Sequence, residues 1–299
     1  MKLEKRVVLG WIAVGSSIII TCFWAFWGVS ENFHEGWYYT SLFSNLGLML
    51  VQYLSPMLIF MAVTVIAVFW PRVGGSLYVL AAFLAIGFFQ AFTNTVVFLL
   101  LVPLVGLGLL YWFGRPQPRW LALALAVGLP LLTLVIAGAA PAVRVSQRLN
   151  DGNLQARDVQ GNGVQLIWAP EGPGWPRVGA DWQSAQQACR FLDEDGLALA
   201  AAPQDIWRLP SVDEAVRSMA RHGQNSGGVW NADSAQANYE TIPDKESPLW
   251  NVHSQVIYWW TATEVDAARA YILVYDGRVW PRSKQLDLAY LGFRCVKQP

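Results

Sequence analysis

Charge is scarce in the first half of this chain. Residues 1–140 hold three of the 21 acidic side chains (Glu4, Glu31, Glu35) and six of the 21 basic ones (Lys2, Lys5, Arg6, Arg72, Arg115, Arg119). No Asp, Glu, Lys, Arg or His falls inside the long apolar runs, which excludes a soluble globular half and argues against proton-coupled transport through it. Histidine and cysteine are equally rare, at three each. His34, His222 and His253 are scattered, and no metal-ligand spacing links them, so no metal or other cofactor is expected. A phosphate loop and a nucleophile elbow are missing as well. After residue 140 there remain 18 acidic and 15 basic side chains, a mildly acidic balance that excludes nucleic acid as a partner.

What the first half does contain is hydrophobic length. A helix needs about 20 apolar residues to cross a bilayer core, and five stretches qualify: 7–27, 46–70, 76–92, 95–113 and 120–140. Residues 76–113 cannot be one helix, because at about 1.5 Å per residue it would reach about 57 Å. Thr93-Asn94-Thr95 therefore reads as a turn. The first stretch has a basic start but exceeds a signal-peptide core and lacks a small-x-small cleavage site before Ser30, so it reads as a retained helix. Lysine and arginine occur before the first stretch, between the second and third, and between the fourth and fifth. Loops 28–45 and 93–95 have none. Basic short loops stay cytoplasmic, so the expected arrangement is a bacterial inner (cell) membrane protein with its N-terminus cytoplasmic and its C-terminal domain periplasmic or extracellular. Trp37, Tyr38 and Tyr39 suit one interfacial belt, and Trp70 and Trp112 the other. Gln52, Ser55 and Gln90 lie within spans, where helix-to-helix hydrogen bonding is their simplest role. Glu31, His34 and Glu35 cluster beyond the first span as a metal candidate or a solvated loop.

The rest reads as a polar linker (141–160) and an α+β domain (161–299). Val164, Leu166 and Trp168 alternate as a first strand. Asp181 caps a helix with Trp182, Ala185, Cys189 and Leu192 at helical spacing, and Ser211 with Glu214 forms a capping box for a second. Residues 222–255 show no sustained period and read as one long loop. Asp276-Gly277 marks a hairpin between strands 270–275 and 278–281, and a last strand covers 291–296.

Gly163 to Trp168, the helix Asp181 to Leu192, Trp207-Arg208-Leu209-Pro210, Tyr258-Trp259-Trp260-Thr261-Ala262-Thr263-Glu264, the Asp276-Gly277 hairpin and Gly292-Phe293-Arg294-Cys295-Val296 occur in that order. Together they resemble the C-terminal domain family of the Legionella collagen-like adhesin. The resemblance covers residues 161–299 and implies a C-type-lectin-like fold related to the formylglycine-generating enzymes. It also implies a disulfide between Cys189 and Cys295, with two unpaired buried thiols as the alternative. Nothing here matches the extra cysteine pair that those enzymes use, so the enzyme reading is disfavoured. The Glu-Pro-Asn calcium triplet of sugar-binding lectins is absent too, and calcium is not expected.

Candidate ligand residues follow from chemistry. Trp230-Asn231-Ala232-Asp233 and Trp250-Asn251-Val252-His253 echo each other, pairing aromatic faces with amide and acid groups as sugar recognition requires. The competing reading makes Trp230 and Trp250 core plugs of an irregular loop. Arg208 and Glu264 either form structural ion pairs or line a groove. The leading expectation is a membrane-anchored module that binds a glycan, peptide or protein partner outside the membrane. The alternatives are a membrane enzyme or maturation factor, and a transporter or channel subunit with a periplasmic cap.

Overall fold

The structure is a computed structural model that describes residues 3–88 and 96–299. Gln90 and the expected turn at Thr93–Thr95 lie outside the described residues. The chain divides into two compact units: Met1–Gly36 with Ser41–Val143, and Trp37–Thr40 with Arg144–Pro299.

The first unit is helical: α1 (Leu3–Glu35), α2 (Leu42–Leu48), α3 (Ser55–Phe69), α4 (Pro71–Phe88), α5 (Val96–Phe113) and α6 (Arg119–Ser146). Two of these, α1 and α6, are long and apolar enough to cross a membrane. The stretch expected as one helix over 46–70 is broken. α2 passes through a π turn at Met49–Tyr53 into α3 with a 62° bend. Pro56 sits in the first turn of α3, where its missing N–H costs nothing. Interhelical bonds come from hydroxyls that periodicity did not single out. Ser17 (α1) bonds Tyr111 (α5) at 2.9 Å, Thr64 (α3) bonds Tyr78 (α4) at 2.7 Å, and the two tyrosine rings stack 5.7 Å apart. Ser17 and Thr64 also donate to the carbonyls of Ala13 and Phe60 on their own helices, so each hydroxyl is satisfied. Gln52, by contrast, is exposed in the π turn and Ser55 is only half-buried.

The second unit is built on a four-stranded sheet of order β10-β7-β8-β9, from β7 (Tyr258–Glu264), β8 (Arg269–Val274), β9 (Val279–Ser283) and β10 (Leu291–Gly292). Side chains of a strand alternate faces, so the neighbours Trp259 and Trp260 enter opposite cores. Trp259 joins Trp168, Trp250, Val212 and Val216 on one side, where α8 (Val212–Ser218) packs. Trp260 joins Trp182, Cys189 and Trp207 on the other, where α7 (Trp182–Phe191) packs. Both helix starts behave as the sequence indicates: Asp181 accepts from the Ser184 N–H, and Ser211 with Glu214 closes a capping box. A second sheet of order β1-β2-β11 brings β1 (Arg157–Gln160) and β2 (Gln165–Trp168) beside β11 (Val296–Lys297). The Cys189–Cys295 disulfide is present, with Cα atoms 5.5 Å apart across a sequence separation of 106.

Three expectations need correction. The 141–160 linker is not a free tether: α6 runs on to Ser146 and residues 157–160 form β1, paired in register from Arg157–Trp168 to Gln160–Gln165. Arg144 and Arg148 hold the intervening segment by bonding Asp244. The 222–255 loop carries short pairings, β4 (Gln224–Asn225) with β3 (Ala220–Arg221) just before it and β5 (Val229–Asn231) with β6 (Gln236–Asn238) within it, too short to leave a periodic signal. The strand expected over 291–296 is split between sheets. Leu291–Gly292 runs parallel to β7, and Val296–Lys297 runs antiparallel to β2.

Candidate functional site

The two Trp-Asn repeats do not converge on one ligand. Trp250 is 4% exposed and lies flat on Trp259, with ring centroids 3.7 Å apart, so neither face is open to a sugar. Trp230 is half-buried on the β5–β6 hairpin, edge-on to Tyr271 at 5.3 Å. The asparagines explain the echo, because each closes a turn. Asn231 accepts from the Ser234 N–H at 3.1 Å and Asn251 from the His253 N–H at 2.8 Å. Asp233 is exposed at the tip of the hairpin.

Arg208 and Glu264 both make ion pairs, with different partners. Arg208 grips Glu214 through two bonds of 2.7 and 2.6 Å, a fork that raises its own pKa. Burial pushes the Glu214 carboxyl up, but Arg208 and the Ser211 N–H outweigh it and hold the group below its usual range. Glu264 bonds Lys284 at 2.6 Å, and that ammonium sits 4.5 Å from the Trp182 ring centre.

Asn251 and His253 do reach an open groove of about 590 Å³ within the second unit. Tyr38, Tyr39, Asn150, Arg177, Val178 and Gln255 also line it. The Tyr38–Thr40 segment packs with this unit rather than with the helices that flank it in sequence. A chain of hydrogen bonds assigns the His253 tautomer. Asn150 Oδ1 accepts from the Gly152 N–H at 3.1 Å, which turns its amide N–H toward His253 Nε2 at 3.4 Å. With Nε2 accepting, Nδ1 carries the proton and donates to the Tyr38 carbonyl at 3.2 Å. Arg177 is neutralised by a two-bond fork to Glu171 at 2.9 and 2.7 Å. The groove therefore presents phenol rings, amides and an imidazole, a set suited to hydroxyl-bearing or amide-bearing ligands.

Sequence reasoning missed the most polar part of the interior. Asp244, Lys245 and Glu246 are each only 1% exposed. Arg144, Arg148 and Arg221 all bond Asp244, at 2.7, 2.9 and 2.6 Å. Burial pushes the Asp244 carboxyl up, and Arg148 and Arg144 more than reverse it. Glu246 accepts from the backbone N–H groups of Leu149 and His222. Lys245 donates to the Ser254 carbonyl, and burial with the nearby Arg148 pushes its pKa down to about 7. Arg294 is fully buried. It donates to the carbonyls of Ala169, Pro248 and Leu249, with its guanidinium 3.6 Å from the centre of the Trp175 ring. An acid-base-acid run before Ser247-Pro248 was the available signal, and a solvated turn gives the same one. These groups are closed off and belong to the scaffold.

Among the described residues no three His, Cys, Asp or Glu side chains stand close enough to hold a metal ion, Glu31, His34 and Glu35 included.

Comparison with family models, with curated proteins and with solved structures finds no match for this chain. Function rests on the site's own chemistry.

Proposed function

We propose that the chain is a membrane-anchored recognition module whose C-terminal domain, of C-type-lectin-like fold, binds a glycan or a peptide or protein partner outside the membrane. The single observation that carries this is the groove at His253, where two tyrosines, three amide side chains and an imidazole meet around about 590 Å³ of open space. The sheet that joins β1, β2 and β11, together with the disulfide from α7 to the last strands, supports the lectin-like reading of the fold. A disulfide persists in an oxidising compartment, and the lysine and arginine distribution favours the same side for the domain. In this reading α1, the bent α2–α3 pair, α4, α5 and α6 make five crossings of a bacterial inner membrane.

The test uses the full chain in lipid nanodiscs, because a fragment beginning at residue 155 would lose Tyr38, Tyr39, Arg144, Arg148 and Asn150. Glycan-array binding is compared for the parent, Tyr39→Ala and His253→Ala, with thermal unfolding as the control. The expected result is saturable binding of one glycan class that falls at least about tenfold in both variants at unchanged stability. Undiminished binding in both variants removes the groove from the reading. A folded parent that retains no glycan removes glycan as the ligand and turns the search to protein partners.

A further inference from the structure

A second groove lies elsewhere on the same unit. It is about 530 Å³ in volume and runs between the outer face of α7 and the segment Asp205–Leu209. The inner face of α7 is fixed by Trp182, Ala185 and Cys189, which are buried. One residue out of phase, and so on a different face, Gln183, Gln186, Gln187 and Arg190 fall at i, i+3, i+4 and i+7 and line the groove. An ordinary solvated helix face is convex and carries charge. This one is concave, and three of its four side chains are exposed neutral amides that make no side-chain hydrogen bond among the described residues.

The cations nearby are each balanced by a carboxylate. Arg190 is paired with Asp205 at 2.8 Å and Arg208 with Glu214 at 2.6 Å. The main chain is engaged as well: Arg208 exchanges both of its backbone bonds with Val296, and the Ala262 N–H donates to the Pro210 carbonyl. An added peptide strand therefore finds no backbone pairing at these two positions. What remains is a row of amides, each offering two donors and an acceptor, beside the half-buried Phe191 and Ala262, with the buried Trp207 and Leu209 closing the floor beneath. Neighbouring hydroxyls of a sugar pair with such amides, and the partly exposed Phe191 is the apolar surface left for its ring.

We infer that this groove is a binding site for a neutral, uncharged oligosaccharide, held by Gln183, Gln186 and Gln187. It is separate from the His253 groove and does not depend on it.

The test is calorimetric titration of the full chain in nanodiscs with neutral hexose and N-acetylhexosamine oligomers, and with uronic-acid oligomers of the same length. Variants are Gln183→Ala/Gln187→Ala in the groove and Gln204→Ala outside it. Alanine is the better helix former, so the double variant keeps α7 intact. The inference predicts that a neutral oligomer binds, that the double variant weakens it at least about tenfold, and that Gln204→Ala leaves it unchanged. It also predicts that the uronic-acid oligomer binds at least about tenfold more weakly than its neutral counterpart. Three results overturn it: no saturable binding of any neutral oligomer, equal binding of neutral and acidic oligomers, or binding that the double variant leaves intact. Neutral binding lost in Tyr39→Ala but kept in the double variant places the sugar in the His253 groove and sinks this second site alone.

Discussion

Among the described residues of the helical unit the buried polar side chains are uncharged, chiefly the hydroxyls of Ser17, Thr21, Thr64, Tyr78 and Tyr111, whereas the C-terminal unit buries Asp244, Lys245, Glu246 and Arg294. The difference traces to backbone. A helix satisfies its own N–H and C=O groups, so a polar side chain inside the bundle needs only a carbonyl one turn back or a neighbouring hydroxyl. The C-terminal unit contains a long irregular stretch whose backbone groups have no ladder to join. Charged side chains are their partners. Glu246 serves Leu149 and His222, Lys245 serves Ser254, and Arg294 serves Ala169, Pro248 and Leu249.

This contrast can be broken at its strongest point first. Asp244→Ala leaves Arg148 buried without its carboxylate and Arg221 with only the Glu246 carboxylate, 3.9 Å away, and is expected to destabilise the C-terminal unit by about 3–5 kcal/mol. Protease resistance of the full chain in a urea series measures it, and a loss below about 1 kcal/mol would mean that the arginines simply turn to solvent. Replacing both Cys189 and Cys295 with serine is expected to cost about 2–4 kcal/mol in the same assay, through the loop of the 106-residue separation.

Lys245 sharpens the comparison through pH. Its folded pKa of about 7 lies below the ordinary lysine value of 10.5. Below pH 7 the lysine is charged in both states and the cost of burying it is complete. Between 7 and 10.5 the unfolded chain holds the proton that the native state has released, so the stability of the unit rises with pH across that window. Lys245→Met should flatten the rise. At pH 6.5 it should stabilise by roughly 1 kcal/mol, a small gain because Ser254 loses its donor. A variant with the parent's pH slope would show that another group titrates there. The smallest effect belongs to the helical unit. Tyr78→Phe removes the hydroxyl bonded to Thr64 and Ser17 and should cost about 1 kcal/mol in thermal unfolding, since both partners keep a carbonyl of their own helix.

Much of this protein was legible because the information is local. Apolar runs placed most of the helices, and Asp181, Ser211 and Glu214 placed two helix starts through bonds that span three residues. The break in the second run escaped because a π turn leaves no periodic mark. The candidate site was less legible, for a related reason. Trp230-Asn231 and Trp250-Asn251 are the same pattern, and each asparagine does the same local work, yet one tryptophan stays half-exposed while the other is sealed against Trp259. Nothing within a few residues of either decides that.

By itself the sequence determined the apolar helices, the caps and the Asp276-Gly277 hairpin, since each follows from residue type and short-range spacing; the Cys189–Cys295 pairing, 106 residues apart, was only what the family resemblance implied. Tertiary structure alone decided that Tyr38 and Tyr39 join a groove with Asn251 and His253, that the α7 amides face a cleft, and that a run of three charges is buried. Those outcomes depend on which distant segments arrive alongside, and on whether burial leaves a backbone group in need of a partner.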